Sequence, residues 1–140
     1  MKILLAVDGS ENSTRAARFV VKLAKSFATP PPIILLHADI PLLKGMEAKM
    51  GAQGTRDYHA DNARYALKDA KAALNAAELE FDARAVVEDA DKAIVEIAAN
   101  EAVDMIVMGS RGRTALTGFL LGSTTTKVIA QADVPVTVIR

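Results

Sequence analysis

The stretch Met105-Ile106-Val107-Met108-Gly109-Ser110-Arg111-Gly112 decides how the rest of this chain is interpreted. Its apolar half predicts a short strand, and the two glycines that follow offer backbone N–H groups that no Cβ covers. Nine residues later, Gly122-Ser123 opens an apparent helix, whose first N–H groups lack partners within the helix and carry the positive end of its dipole. This order predicts an anion-binding cradle for the phosphates of a nucleotide, with residues 113–121 as the loop between its halves.

Five apolar runs of strand length alternate with helical patterns along the chain. Continuous runs such as 3–7 and 33–36 are typical of strands that are buried on both faces of a parallel sheet. The five predicted strands are 3–7, 33–36, 81–87, 105–108 and 134–139. Their alternation with helices predicts an α/β fold: one domain over residues 1–140, built on a doubly wound five-stranded parallel sheet with helices on both faces.

Four helices are predicted from apolar residues that recur at helical spacing. Ser10 lies in a run of capping residues before the first helix, Asp89 is the expected N-cap of the third, and the fourth spans 124–131. In a doubly wound sheet, ligands bind beyond the carboxyl ends of the strands, where the strand order reverses. Asp8 and Gly109 each follow a predicted strand, so one crevice is expected to use both.

The composition restricts the classes of function. Seventeen basic and seventeen acidic residues give a net charge of zero, which argues against nucleic acid as a bulk electrostatic partner. The absence of cysteine excludes disulfides, thiolate chemistry and cysteine-based metal sites, and it fits a cytoplasmic protein. The first apolar run is too short for a signal peptide, and no run approaches the roughly twenty residues that span a bilayer, so no membrane insertion is expected.

One long segment, residues 39–57, breaks the alternating pattern. It contains Pro41 and three glycines, and it shows little periodicity. Loops of this length in compact domains are usually functional or mobile. We interpret the segment as a flexible cover that closes over the crevice, with a short helix near 43–50 as the regular structure it allows.

Several polar residues near the predicted crevice have two interpretations each. Asp8 is either a turn or cap residue, or a contact to a nucleotide, directly or through Mg²⁺, an ion that needs only one or two protein carboxylates beside phosphate oxygens. Arg111, Arg113 and Lys127 are either solvated surface residues or charge-assisted donors to an anion. The chain has neither Gly-x-x-x-x-Gly-Lys-Ser/Thr nor Gly-x-Gly-x-x-Gly, so the P-loop and dinucleotide-binding machineries are both missing.

The two histidines invite a catalytic or metal-binding interpretation that the sequence does not favour. His37 follows the second predicted strand with no spacing that indicates a hydrolytic triad, and we interpret it as a packed or hydrogen-bonded side chain. The residue types alone suggest a metal site at Asp57, His59 and Asp61. On a helix, residues 57 and 61 share a face while 59 points away, so no shared metal site is expected.

The last predicted strand, 134–139, is apolar and contains Pro135. Proline within a strand belongs at a sheet edge or near the start of the strand. An unpaired apolar edge is an aggregation hazard. Pairing with its own copy around a two-fold axis removes that hazard, so we expect a homodimer through this strand.

These features together resemble the universal stress protein family, in its ATP-binding branch, over nearly the whole chain. The matching segments are 3–10, 35–37, 104–112, 120–123 and 134–136. The spacing Gly-x2-Gly-x9-Gly-Ser, from Gly109 to Ser123, is the nucleotide signature of the family, and members that lack it often do not bind ATP. The chain departs from the family at 88–90, where Glu-Asp-Ala replaces the usual Gly-Asp-Pro, and at Ala38, a position often filled by valine.

The resemblance implies a five-stranded parallel sheet, a dimer through the last strand and a bound ATP. By position, the residues that match those around adenine, ribose and phosphates in the family are Ala6, Val7, Asp8, Ala38, Met108, Gly109, Arg111, Gly112, Gly122, Ser123 and Thr124. A valine at Gly122 is expected to block the approach of phosphate and abolish binding while the domain stays folded.

Three functions follow as hypotheses. The first is an ATP-binding regulatory protein of the stress response, a nucleotide-dependent homodimeric switch whose surface for an unknown protein partner changes as residues 39–57 close. The second is a slow ATPase or an autophosphorylating enzyme, modified at Ser110, Ser123 or Thr124, with Asp8 as its one well-placed base. The third is a dimeric interaction module that binds no nucleotide, and the intact glycine signature argues against it.

Overall fold

The computed structural model describes residues 1–112 and 121–140. Strands and helices alternate along them. The elements are β1 (Ile3–Ala6), α1 (Glu11–Ala24), β2 (Ile33–Asp39), α2 (Lys44–Ala76), β3 (Phe81–Val87), α3 (Ala90–Asn100), β4 (Met105–Gly109), α4 (Ser123–Gln131) and β5 (Val136–Ile139). The five strands form one parallel sheet, which confirms the predicted α/β fold.

The strand order is β3-β2-β1-β4-β5, so the direction in which strands are added reverses at β1. β1 pairs with β2 on one side and with β4 on the other; Ala6, for example, lies opposite Leu36 and Met108. The carboxyl ends of β1 and β4 therefore lie side by side at the switch point, where doubly wound sheets open a crevice for ligands. β3 and β5 form the two edges of the sheet.

The two faces of the sheet bury separate halves of the core, each covered by two helices. Because side chains alternate along a strand, Ile3 and Leu5 of β1 pack with α1 and α2, whereas Leu4 and Ala6 pack with α3 and α4. All four are buried, which explains why β1 is a continuous apolar run. Within residues 1–112 and 121–140, no helix has the length and apolar character needed to cross a bilayer.

Both predicted helix caps lie where the sequence places them. Ser10 is the N-cap of α1, and its hydroxyl accepts a hydrogen bond from the Ser13 N–H at 3.2 Å. Asp89 is the N-cap residue of α3 but makes no capping hydrogen bond with its side chain. Its carboxylate lies 3.0 Å from the ammonium of Lys92 instead.

Four strands differ from their predicted bounds, two of them by a single residue: β1 ends at Ala6 rather than at 7, and β4 ends at Gly109 rather than at 108. The apolar run predicts an end at residue 36, whereas β2 continues to Asp39, because the polar side chains of His37 and Asp39 have hydrogen-bond partners in the fold. β5 begins at Val136 rather than at 134, because Pro135 has no N–H for the ladder. The carbonyl of Pro135 still accepts from the Ile106 N–H at 2.9 Å.

The prediction of an irregular cover over residues 39–57 is wrong for most of the segment. α2 begins at Lys44 and is interrupted at Gly51, whose φ of 73° and ψ of 173° are non-helical. Every residue from 43 to 53 is exposed. A helix without a buried face has no apolar stripe, so the periodicity from which helices are predicted is missing here. The short helix expected near 43–50 is the first part of α2.

Candidate functional site

A cavity of about 290 Å³ opens where the carboxyl ends of β1 and β4 meet. All eleven residues that the sequence predicts for a ligand site line it: Ala6, Val7, Asp8, Ala38, Met108, Gly109, Arg111, Gly112, Gly122, Ser123 and Thr124. The lining also includes five residues that the sequence argument did not single out: Ser13, Leu36, Ala90, Ile94 and Thr125. Strand ends and helix starts from six elements, β1, α1, β2, α3, β4 and α4, and the segments between them thus converge on one concave surface.

The part of the cavity next to the core between the sheet and α3 is apolar. Its walls belong to the same buried cluster and are Ala6, Leu36, Ile94 and Met108. Ala38 of β2 and Ala90 at the start of α3 add two more short side chains. Such a surface suits a flat, largely apolar group.

The register between β1 and β2 directs the N–H and C=O groups of Ala38 toward the side of β2 on which β1 lies, beyond the last residue of β1. The even-numbered residues of β2 bond to β1, as the 2.9 Å bond from the Val7 N–H to the Leu36 carbonyl shows. The odd-numbered residues bond to β3, as the bond from the Glu88 N–H to the Asp39 carbonyl shows. Since β1 has ended at this level, the N–H and C=O of Ala38 are directed into the space beyond it. One donor and one acceptor therefore stand together on the cavity wall.

The polar part of the cavity is formed by the glycine loop and the start of α4. Gly122 is the N-cap residue of α4 and has no side chain to satisfy the first N–H groups of the helix. Ser123 and Thr124 follow in the first turn and line the cavity. The Thr125 hydroxyl donates to the Gly109 carbonyl at 3.0 Å and fixes this helix start against β4. Backbone N–H groups, hydroxyls and a helix dipole form a surface suited to an anion.

Asp8 closes a turn and lines the cavity at the same time. Its Oδ1 accepts a hydrogen bond from the Ser10 N–H at 2.9 Å, which is the turn role that the sequence suggests. Its Oδ2 lies 2.7 Å from the position that a Cβ would occupy at Gly112. The second oxygen therefore faces the glycine loop, between the ends of β1 and β4.

The glycines of the motif serve different purposes. A Cβ at Gly109 would lie 2.9 Å from the backbone carbonyl carbon of Asn12, so this glycine allows α1 to approach β4 closely. A Cβ at Gly122 would lie 3.3 Å from the Cα of Arg111, so this glycine allows the two halves of the motif to approach each other. A valine at Gly122 would therefore press on the backbone of the loop as well as on a ligand.

The cations near the loop have different surroundings. Arg111 lines the cavity. Lys127 is 60% exposed, and its ammonium lies 3.8 Å from Oδ1 of Asp91 in the first turn of α3, so it links α4 to α3. Arg113 lies outside the described residues, as does the rest of the predicted 113–121 loop except Leu121.

A second polar cluster lies beneath α2, on the face of the sheet opposite the cavity. His59 Nδ1 lies 2.6 Å and Asn62 Nδ2 2.9 Å from the same oxygen of Asp39. Burial raises the pKa of the Asp39 carboxyl, but the hydrogen bonds from Asn62 and His59 outweigh it and hold the pKa below its ordinary value of 3.8. His37 bonds to the Val7 carbonyl at 3.0 Å. In residues 1–112 and 121–140, no three His, Cys, Asp or Glu side chains come together as metal ligands.

The lining residues that sequence reasoning missed have little signal of their own. Leu36 and Ile94 are ordinary core residues of a strand and a helix, and only the folded arrangement puts them in the cavity wall. Ser13 and Thr125 are hydroxyl residues in the first turns of their helices, beside the crevice. That first-turn position is the signal by which they are recognisable, and Ala90 shares it in α3.

The chain resembles known proteins along its whole length. The model of the Universal stress protein family matches residues 1–140. A universal stress protein of Thermus aquaticus is 34% identical over 140 residues, which cover 99% of this chain and 97% of that protein. The solved structure of MJ0577 of Methanocaldococcus jannaschii has a TM-score of 0.84 at 30% identity, over 99% of this chain and 94% of that one. A universal stress protein of Archaeoglobus fulgidus in complex with dAMP has a TM-score of 0.72 at 25% identity, over 100% and 98%.

Proposed function

The chain belongs to the universal stress protein family. We propose that it is a regulatory protein of the stress response that binds an adenine nucleotide, specifically ATP together with Mg²⁺. In this proposal residues 1–140 act as one domain. The observation that carries the proposal is the cavity at the switch point, whose lining includes all eleven residues predicted for a nucleotide site.

The apolar part of the cavity is the proposed adenine site. Adenine presents a ring nitrogen that accepts a hydrogen bond beside an amino group that donates one. The N–H and C=O of Ala38 offer the complementary pair, and the short side chains around them leave room for the ring. The dAMP bound by the Archaeoglobus fulgidus relative supports an adenine nucleotide as the ligand.

The polar part is the proposed phosphate site. The start of α4 and the glycine loop supply N–H groups, and Arg111 supplies a positive charge. Mg²⁺ is bound by oxygen ligands and usually keeps only one or two protein carboxylates. Asp8 fits that role, and phosphate oxygens and water would supply the remaining ligands.

The first part of α2 is the proposed moving element of a switch. Residues 43–53 are exposed and α2 is interrupted at Gly51, whereas the contact between Asp39 and His59 fixes the helix further on. Closure of this part over a nucleotide would change the surface that a protein partner meets. Signalling then requires a partner that binds the open and closed states with different affinities.

The proposed assembly is a homodimer through residues 134–139. β5 is an edge strand of the sheet. Its four residues are all partly buried rather than exposed. Pairing with the same strand of a second copy would satisfy the outer N–H and C=O groups of this edge.

Turnover of ATP is proposed to be slow. Among the described residues that line the cavity, Asp8 is the one acidic side chain, and its Oδ1 already accepts the Ser10 N–H. A general base must reach the proton that it removes from the attacking water. With a single carboxylate engaged in a turn and proposed for Mg²⁺, binding and release are better suited to the site than catalysis.

Calorimetric titration of ATP, with and without Mg²⁺, into nucleotide-free protein tests the proposal. We expect about one site per chain and a Kd in the micromolar range, because two or three charge-assisted hydrogen bonds with burial of the base give about −8 kcal/mol. Gly112→Val should weaken binding at least about tenfold, because its Cβ meets the carboxylate of Asp8 at 2.7 Å. Gly45→Val is the matched control, since a Cβ there contacts nothing within 4 Å.

Two outcomes would contradict the proposal. Wild-type protein that is folded and free of nucleotide but binds none would leave a family fold whose glycines serve only its turns. If the Gly112→Val and Gly45→Val variants bind ATP with equal affinity, the glycine loop is not part of the binding site.

A further inference from the structure

The parallel ladder between β1 and β2 stops one bond earlier than the two backbones allow. Along this ladder the Ile3 N–H donates to the Pro32 carbonyl and the Val7 N–H to the Leu36 carbonyl, each at 2.9 Å. The next bond of the same pattern would join the Ala38 N–H to the Val7 carbonyl. Within the described part of the chain that bond is not formed, and the paired register ends at the level of Leu36.

A side chain bonds to the Val7 carbonyl instead. Nδ1 of His37 lies 3.0 Å from this oxygen, and because a carbonyl only accepts, Nδ1 must carry the proton. The histidine is 5% exposed. Its Nε2 is buried without a hydrogen-bond partner among the described residues. A buried polar atom without a partner costs free energy, so the bond from Nδ1 is the contact that accounts for a histidine at this position.

His37 and Ala38 point to opposite faces of β2. The imidazole lies on the α1 and α2 side, and Ala38 lies on the cavity wall. An Ala38 N–H bonded to the Val7 carbonyl would be lost to any ligand in the cavity. With the carbonyl occupied by His37, the N–H keeps its direction toward the space beyond β1.

We propose that His37 is a positioning residue of the nucleotide site: by bonding to the Val7 carbonyl it ends the β1–β2 ladder early and reserves the Ala38 N–H for the base. The identity of the ligand rests on the proposed function. The early end of the ladder is a property of the protein without ligand. His37 acts only through Val7 and Ala38 and does not touch the nucleotide.

The matched variants His37→Asn and His37→Leu separate the donor from the bulk of the side chain. Nδ2 of asparagine stands at the same position along the side chain as Nδ1 of histidine, and leucine has the same branching without a donor. In His37→Leu the Val7 carbonyl is left to the Ala38 N–H, because buried backbone groups seek partners. We expect the affinity for ATP to fall about tenfold in His37→Leu and to be largely restored in His37→Asn.

Hydrogen exchange of the Ala38 amide distinguishes a positioning role of His37 from a merely structural one. In the ligand-free wild-type protein this amide should exchange faster than its neighbours in β2, and ATP should slow it. In ligand-free His37→Leu the same amide should be slow before any nucleotide is added. A variant that only loosens the sheet would instead exchange faster throughout β1 and β2.

The two measurements fail in distinguishable ways. A slow Ala38 amide in the ligand-free wild-type protein overturns the inference, as do equal affinities in folded His37→Leu and His37→Asn. If the wild-type protein binds no adenine nucleotide, the proposed function fails, and the exchange of the Ala38 amide still decides whether His37 ends the ladder. The wild-type exchange measurement needs no variant, so it decides this even if His37→Leu does not fold.

Discussion

The connections that follow β1 and β2 are neighbours at the cavity and are built in opposite ways. Four residues join β1 to α1, and within them the Ser10 N–H donates to Asp8 Oδ1 at 2.9 Å, while the Ser13 N–H donates to Ser10 Oγ at 3.2 Å. After β2, Ile40 and Leu43 are 68% and 76% exposed, and α2 begins without a side-chain cap. The first connection is fixed by its own side chains, whereas among the described residues no side-chain hydrogen bond is formed within the second, residues 40–43.

This difference separates a preorganised wall of the cavity from an adaptable one. The turn between β1 and α1 fixes Asp8 before a ligand arrives, which reduces the cost of ordering on binding. Beyond β2, the next fixed point is the contact of Asp39 with His59, well after the interruption at Gly51. Ligand-dependent change is therefore expected in residues 40–51. Variants that alter one connection at a time separate the two contributions.

The largest effect is expected from Gly109→Ala, which acts on the fixed connection. The new Cβ would lie 2.9 Å from backbone and side-chain carbons of Asn12. Overpacking between the buried Gly109 and the start of α1 should lower the free energy of unfolding by about 2–3 kcal/mol, as measured by urea denaturation. The control is Gly45→Ala on the exposed part of α2, where a Cβ contacts nothing within 4 Å. It should raise stability by about 0.5–1 kcal/mol. Equal stabilities of the two variants would contradict the comparison.

The second prediction concerns Asp39, whose contacts with His59 and Asn62 fix α2 after the adaptable connection. Asp39→Asn removes a carboxylate that His59 and Asn62 share. The free energy of unfolding at pH 7 should fall by about 1.5 kcal/mol. Asp61→Asn, in an exposed ion pair with Arg64, is the matched control and should change stability by less than about 0.5 kcal/mol.

The effect of Asp39→Asn should also depend on pH. Because the pKa of Asp39 in the folded protein is held below 3.8, the stability from its ionised form is fully present above that value and is lost as the pH falls through the folded pKa. The difference between wild type and Asp39→Asn should therefore shrink between about pH 5 and pH 3. A difference that stays constant over this range would show that the charge of Asp39 does not contribute.

The sequence predicts the fixed connection well and the adaptable one poorly, for a physical reason. Local signals, such as the strand end before Asp8 and the cap at Ser10, encode structure that forms within a few residues. The alternation of strands and helices predicts the doubly wound parallel sheet, and that fold brings Asp8 and the residues of the glycine motif to one cavity.

The end of β2 and the first part of α2 have no such local code. As polar residues after an apolar run, His37 and Asp39 indicate that the strand has ended, yet both lie in β2. Their hydrogen-bond partners, Val7 and His59, are about twenty or more positions away in the sequence. The first turns of α2 bury nothing, so their sequence carries no periodicity. Interactions at long sequence separation and exposed helices are the features that residue patterns do not reveal.

A smaller effect is expected from loss of the cap in the fixed connection. Ser10→Ala removes the acceptor of the Ser13 N–H, and the free energy of unfolding should fall by about 1 kcal/mol in urea denaturation. Ser10→Asn keeps a capping oxygen and should retain most of the stability. If both variants lose the same amount, the turn between β1 and α1 does not depend on this cap.

The smallest effect is expected from giving the adaptable connection the cap that it lacks. Leu43 is the N-cap residue of α2, with φ of −63° and ψ of 141°, an extended geometry in which a serine side chain can accept from the first turn. Leu43→Ser should stabilise this turn by about 0.5 kcal/mol, and Leu43→Ala, which removes the same exposed side chain without adding a cap, should not. Slower hydrogen exchange at the Gly45 amide in the serine variant alone is the expected result, because the Met46 N–H already donates to the Leu43 carbonyl at 2.8 Å. If the Leu43→Ser variant also binds nucleotide more slowly, the flexibility of this connection contributes to nucleotide entry into the cavity. If the association rate is unchanged, the first turn of α2 takes no part in nucleotide entry.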